Sequence, residues 1–208
     1  MIIDINRGKR LLLRRSDEQD FDFVWAASQD HEFVATCLPD IIEGFTEEQL
    51  KNSLIALKNQ VVTETIQLFF TIEHVEKGAI GIAILGDYTP VHRRCEQILA
   101  IPLLEHRHQG YGIEAALLLL DLAFNHYQLA KVYGHAYDYN PEGHALAVRC
   151  GFSDEGVMRQ HVYLTRYQRY GDLHVHGLLE TEFRSNAILA KLSARWLGRD
   201  ITLIQQHA

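Results

Sequence analysis

Basic charge, cysteine, proline and long apolar runs are all scarce in this 208-residue chain, and each shortage removes a class of protein. Lys and Arg together number 20 against 27 Asp and Glu, a formal net charge of −7. A field of that sign opposes binding a phosphate backbone by charge, so no nucleic-acid partner is expected. It concentrates cations instead, amines among them. Three cysteines occur, Cys37, Cys95 and Cys150, an odd number at wide spacing without Cys-x-x-Cys. Neither a disulfide framework nor a zinc knuckle is implied, and a reducing cytoplasm fits best. The longest strongly apolar run, residues 115–120, is closed off by Glu114 and Asp121. It is far shorter than the roughly 20 residues that cross a bilayer. Residues 1–7 lack the basic-then-apolar order of a signal peptide, so no membrane association is expected. With four prolines and no low-complexity stretch, nothing divides the chain.

What is present is 47% hydrophobic residues, enough for one substantial core, and twelve histidines, the one compositional oddity. Residues 9–15 read as a short β-run through Leu11, Leu12 and Leu13. Ser16 then caps a helix carrying Phe21, Val24 and Trp25. A second helix starts at Thr46, with Gln49 completing a capping box and Leu50, Leu54 and Leu57 on its apolar face. Residues 66–74 and 79–85 form a hairpin turned at Gly78, and residues 95–101 a strand ended by Pro102. A helix runs from Ile113 to about Tyr127, a strand over 131–137, and a helix from Asn140-Pro141-Glu142 to Cys150-Gly151-Phe152. Two more strands, 152–165 and 173–183, join through a polar turn at 167–172, and a helix over 185–197 follows. The reading is one α/β domain of order β-α-α-β-β-β-α-β-α-β-β plus an appended helix.

Between the strand ending at Pro102 and the helix opening at Ile113 lies Arg107-x-x-Gly110-x-Gly112. Glycines there let the chain turn tightly and present backbone N–H groups, and the helix adds positive partial charge. A pyrophosphate is the natural occupant, although the same letters also serve as a plain strand-to-helix turn. No Gly-Lys-Ser/Thr and no Gly-x-Gly-x-x-Gly with its distant acid offers a competing nucleotide site. Around this loop stand Asn140-Pro141, Cys150-Gly151-Phe152, Asp154-Glu155-Gly156 and Tyr170-Gly171-Asp172 followed by Leu178-Leu179-Glu180, with Val91-His92-Arg93-Arg94-Cys95-Glu96 upstream. In that order they resemble the GNAT N-acetyltransferase superfamily, its ribosomal-protein and spermidine N-acetyltransferase branch above all, over roughly residues 9–183.

The resemblance implies an α/β (α+β) fold, a central mixed, mostly antiparallel sheet of about seven strands flanked by helices. The acetyltransferase domain would span residues 1–183. Residues 184–208 would be a helical extension, packed on the same domain or serving an interface such as a homodimer. Acetyl-CoA is the implied co-substrate, with no metal. Its pyrophosphate would lie on the amides of His108, Gln109, Gly110, Tyr111, Gly112 and Ile113, with Arg107 at the loop entrance. Its pantetheine arm would follow Leu99, Ala100 and Ile101, and Asn140 would line the arm while capping its helix.

Acetyl transfer to an amine needs a base, and Glu96 is the candidate catalytic carboxylate at the start of the fourth strand of that fold. Counting back from Arg107 favours Gln97 instead, a conflict that one extra residue near 102–104 removes. The family's usual acid positions are here Ala147 and Gly143, which leaves His144 on the same helix as the candidate catalytic acid. His106-x-His108 and His174-x-His176 have period-two spacing, but no acidic or cysteine ligand stands beside them at metal-site spacing. The resemblance implies an amine acceptor, either a polyamine or other small amine, or a protein N-terminus. The acidic stretch containing Glu32, Asp40, Glu43, Glu47 and Glu48 favours a cation, or only solvates the surface. Two other classes stay open: a non-catalytic or regulatory acyl-CoA-binding domain, and an interaction module without the cofactor.

Overall fold

The computed structural model describes residues 5–30, 33–34, 46–58, 66–164 and 168–204. Cys37, the acidic residues Glu32, Asp40 and Glu43, and the expected strand and turn residues Thr165 and Tyr167 lie outside them. The chain runs β1 (Ile5–Arg7), β2 (Leu11–Arg15), α1 (Phe21–Ser28), α2 (Glu47–Lys58), β3 (Leu68–His74), β4 (Gly78–Thr89) and β5 (Arg94–Ala100). It continues α3 (Tyr111–Asp121), β6 (Lys131–Tyr137), α4 (Pro141–Arg149), β7 (Ser153–Leu164), β8 (Arg169–Leu179), α5 (Glu180–Ser185) and α6 (Ala187–Leu197). The strands form one sheet in the order β1-β2-β3-β4-β5-β6-β8-β7. Every neighbouring pair is antiparallel except β5 with β6.

Strand alternation sends side chains to two separate cores. On one face Ile82, Ile84 and Ala100 pack under Val24 and Ala27 of α1 and Leu50, Leu54 and Leu57 of α2. The opposite face, with Leu13, Phe70, Cys95, Val132 and Leu178, carries α3. That helix is apolar around its whole circumference, with residues 115–120 all buried, so the sheet alone cannot cover it. Leu189 and Leu197 of α6 and Ile201 beyond it close the far side of the same core. Hydrogen bonds fasten this segment. Arg199 donates to Asp121 (2.6 Å) and to Asn6 (2.7 Å), and Asn125 donates to the Ile201 carbonyl (2.8 Å).

Four local expectations change, one being that residues 169–172 of the expected polar turn already belong to β8, paired with the end of β7. Asp17, not Ser16, caps the first helical segment, because the Ser16 hydroxyl is buried and shared with Thr71 (3.0 Å). The last strand stops at Leu179 instead of reaching Phe183, where the Glu182 carboxylate accepts the Leu179 N–H (2.9 Å) and starts α5. An eighth strand, β1, joins the seven expected, as Ile5, Asn6 and Arg7 pair with Arg14, Leu13 and Leu12. Thr46 and Gln49 do form the capping box, each accepting the other's backbone N–H at 3.2 and 2.9 Å.

Candidate active site

The one parallel pairing sets the site. β5 and β6 share a register of only three residues, Arg94, Cys95 and Glu96 opposite Lys131, Val132 and Tyr133. From Gln97 onward β5 keeps its pairing with β4 but none with β6, so an edge of backbone faces a gap. A cleft of about 510 Å³ opens there, walled by Glu96, Gln97, Leu99, His135, Asn140 and Ala147, among others. Of the three residues expected along the pantetheine arm, Leu99 lines it. Ala100 is packed into the α1–α2 core, and Ile101 gives its carbonyl to Arg107.

The glycine loop enters α3 as the sequence requires. Gly110 occupies the N-cap position at φ 81° and among the described residues no side chain caps the helix, which leaves its first amides without a side-chain acceptor. A Cβ at Gly110 would also lie 2.6 Å from Trp196 Cη2. Arg107 braces the loop from inside, its guanidinium donating to the carbonyls of Ile101 (3.0 Å) and Pro102 (3.1 Å). Between the strand and the loop the chain makes a 3-10 turn, Leu104–His106. Behind the loop Glu114 is fully buried, accepting from Arg10 N (2.7 Å), Arg10 Nε (3.0 Å) and Leu11 N (3.1 Å). Arg10 in turn lies between the rings of Tyr111 and Trp196, at 4.6 and 4.7 Å. Those contacts neutralise a carboxylate in the first turn that would otherwise compete with an anion for the helix N-terminus.

Across the gap, Glu96 Oε1 meets His135 Nδ1 at 2.6 Å, and both side chains line the cleft. Glu96 shares its face of β5 with Ile98 and Ala100, toward α1 and α2. Gln97 faces the other way, its Oε1 buried without a hydrogen bond among the described residues. His135 was not singled out from the sequence; the parallel register that places it opposite β5 has no local signal. Asp87, also on the wall, takes hydrogen bonds from Tyr133 and Arg94. Asn140 both lines the cleft and caps α4, accepting from the Gly143 N–H at 3.0 Å. Cys150 touches the cleft too, but burial pushes its thiol up to about 12, so it is no thiolate nucleophile.

Behind α4 three more functional groups meet. His144 Nδ1 is 2.8 Å from His176 Nε2, which is 3.2 Å from Asp154 Oδ1. His144 is not among the described residues lining the cleft, whereas His176 is. Burial lowers the His176 pKa and keeps the imidazole neutral. Sequence spacing pointed to no acidic partner for these histidines, yet Asp154 stands directly across the β7–β8 ladder from His176. His106 and His108 are not brought together: His106 is buried near Tyr111, and His108 reaches out to Glu142 at 3.3 Å.

Residues 10–153 match the family model of the acetyltransferase (GNAT) domain. The chain is similar to the spermidine N(1)-acetyltransferase of Vibrio cholerae serotype O1, 27% identical over 179 residues, covering 85% of this chain and 96% of that one. Its fold is similar to the crystal structure of the Vibrio cholerae spermidine N-acetyltransferase in complex with CoA and spermine. There the TM-score is 0.72 and the identity 24%, over 83% of this chain and 97% of that one. A dodecameric structure of the Vibrio cholerae enzyme aligns with a TM-score of 0.71 at 23% identity, over 85% of this chain and 99% of that one.

Proposed function

Because the chain belongs to the GNAT acetyltransferase family, we propose that it transfers the acetyl group of acetyl-CoA directly to a small cationic amine, a polyamine foremost, with Glu96 and His135 as a joint base. The observation that carries the acceptor is the charge of the cleft wall. Among the described residues it includes two carboxylates, Asp87 and Glu96, and neither lysine nor arginine. A protonated amine is drawn to such a wall and then has to lose a proton before it can attack. The spermidine acetyltransferase activity of the relative at 27% identity supports the same class.

The fit to acetyl-CoA rests on the unpaired β5 edge, which offers backbone groups to an amide-bearing arm, and on the uncapped N-terminus of α3, which suits a pyrophosphate. Bound there, the co-substrate supplies an activated thioester. Asn140 and Leu99 orient its arm. Glu96 Oε1 accepts from His135 Nδ1–H, which leaves the Nε2 lone pair to take the proton of the ammonium. The inert, buried Cys150 thiol speaks for direct attack over an acyl-cysteine relay. With Ala147 on the wall and His144 behind it, the thiolate would leave without an enzyme acid and take up, through the solvent of the cleft, the second proton that the attacking nitrogen sheds.

Thiol release in the presence of acetyl-CoA and a panel of amines, spermidine among them, tests the reading. Glu96→Gln and His135→Gln are each expected to lower turnover by roughly 10²–10⁴-fold. The double variant should fall no further, since the two residues act as a unit. Stabilisation by acetyl-CoA should persist in all three. Multiplicative losses would break the pair into independent groups. Tight acetyl-CoA binding without turnover on any amine would favour the non-catalytic class.

A further inference from the structure

At the edge of the cleft, with His176 on its wall, three lone-pair atoms converge from three separate elements. His144 comes from the first turns of α4, His176 from β8, and Asp154 from β7, where it is the cross-strand partner of His176. Their ligand atoms all lie within 4.8 Å of one another. A tetrahedral zinc ion with bonds of about 2.0–2.1 Å holds its ligand atoms about 3.3 Å apart. Two separations, 2.8 Å from His144 to His176 and 3.2 Å from His176 to Asp154, are already near that spacing, and the third, from His144 to Asp154, lies within 4.8 Å and closes as the exposed Asp154 side chain turns.

Hydrogen bonding alone serves this arrangement poorly. His176 Nε2 carries at most one hydrogen, yet it faces both His144 Nδ1 and Asp154 Oδ1. If His144 donates instead, the Nε2 lone pair is left against a carboxylate oxygen. The cluster is also half enclosed, with the His176 side chain 1% exposed and that of Asp154 67% exposed. The buried imidazole excludes water while the carboxylate leaves an entry path. A single cation meets all three lone pairs at once.

We propose that His144, Asp154 and His176 form a site for one zinc-type divalent ion, three-liganded by protein with the fourth position taken by water. Two imidazoles and one carboxylate suit zinc better than the oxygen-seeking magnesium or calcium. The bound ion clamps the start of α4, and with it Asn140 on the cleft wall, to the β7–β8 ladder. Its effect is on the order and stability of that wall, independent of the acetyl-transfer chemistry proposed above.

The test uses the full chain, freed of any polyhistidine tag and stripped with chelator. Zinc is titrated against a chromophoric competitor, and cobalt is added as a spectroscopic probe. Expected are one ion per chain, the intense visible bands of four-coordinate cobalt, and a higher melting temperature with one equivalent of zinc. His144→Gln and Asp154→Asn should each weaken binding by at least the roughly 10- to 100-fold that loss of even an outer-shell partner costs. His108→Gln, which removes the exposed pairing with Glu142, should leave binding intact. No saturable binding, the weak bands of six-coordinate cobalt, or unchanged affinity in both ligand variants would overturn the site.

Discussion

Asp87 holds a backbone conformation unusual for a side-chain-bearing residue, φ 40°, and uses it to present its carboxylate to Tyr133 and Arg94. The Tyr133 hydroxyl, ahead of a smaller opposing effect of burial and then Arg94, holds that carboxyl below its usual range. A depressed carboxyl contributes stability that is present above its unfolded value and disappears as pH falls through the folded one. Asp87→Asn is therefore expected to destabilise the protein near neutrality, by on the order of 1 kcal/mol or less for so exposed a group. The gap to the parent should narrow in urea melts as pH falls below the ordinary carboxyl value of 3.8; a gap that ignores pH would show the carboxylate to be unimportant. At this scale the sequence exposes some residues and hides others. Asn140 before Pro141, and Gly110 before a helix, announce themselves because their roles are local. His135 and Asp154 do not, since each acquires its partner from a strand pairing that neighbouring letters do not encode.

Among the elements, α3 shows how a local requirement becomes a packing one. Gly110 has to be glycine twice over, once for its φ of 81° and once for the Trp196 ring that a Cβ would meet at 2.6 Å. Gly110→Ala would force about 1–2 kcal/mol of left-handed strain together with a displaced indole. Its acetyl-CoA-induced rise in melting temperature should shrink well below that of the parent. A full-sized rise would mean that the loop does not hold the pyrophosphate. Helix and strand types were legible where local signals were strong, as in the Leu50, Leu54 and Leu57 spacing of α2 and its Thr46 capping box. The errors fall where side-chain bonds compete with propensity. Ser16 spends its hydroxyl on Thr71 instead of capping, and Glu182 ends a strand that β-forming residues would have continued.

For the molecule as a whole, the carboxy-terminal segment belongs to the same core as the glycine loop before α3, through Trp196 against Gly110 and Arg10. Trp196→Ala is expected to lower stability by about 2 kcal/mol, less than a fully buried aromatic costs. It should also raise KM for acetyl-CoA while kcat stays near that of the parent. An unchanged KM would confine the ring to a packing role. Topology decides where such a molecule gives way. Strands β1 to β5 follow one another along the sheet, β1–β2 and β3–β4–β5 through short connections and β2–β3 across α1 and α2, while β6, β8 and β7 make the other side. The two halves meet in the sheet through three residues of each strand, brought together across the whole length of α3. So short a ladder makes that junction inexpensive to part. The gap that admits a ligand is thus also a tear line, and a molecule lying along the bare edge of β5 supplies the rungs the sheet is missing. Substrate loading would then slow opening of the entire fold, far beyond the residues it touches.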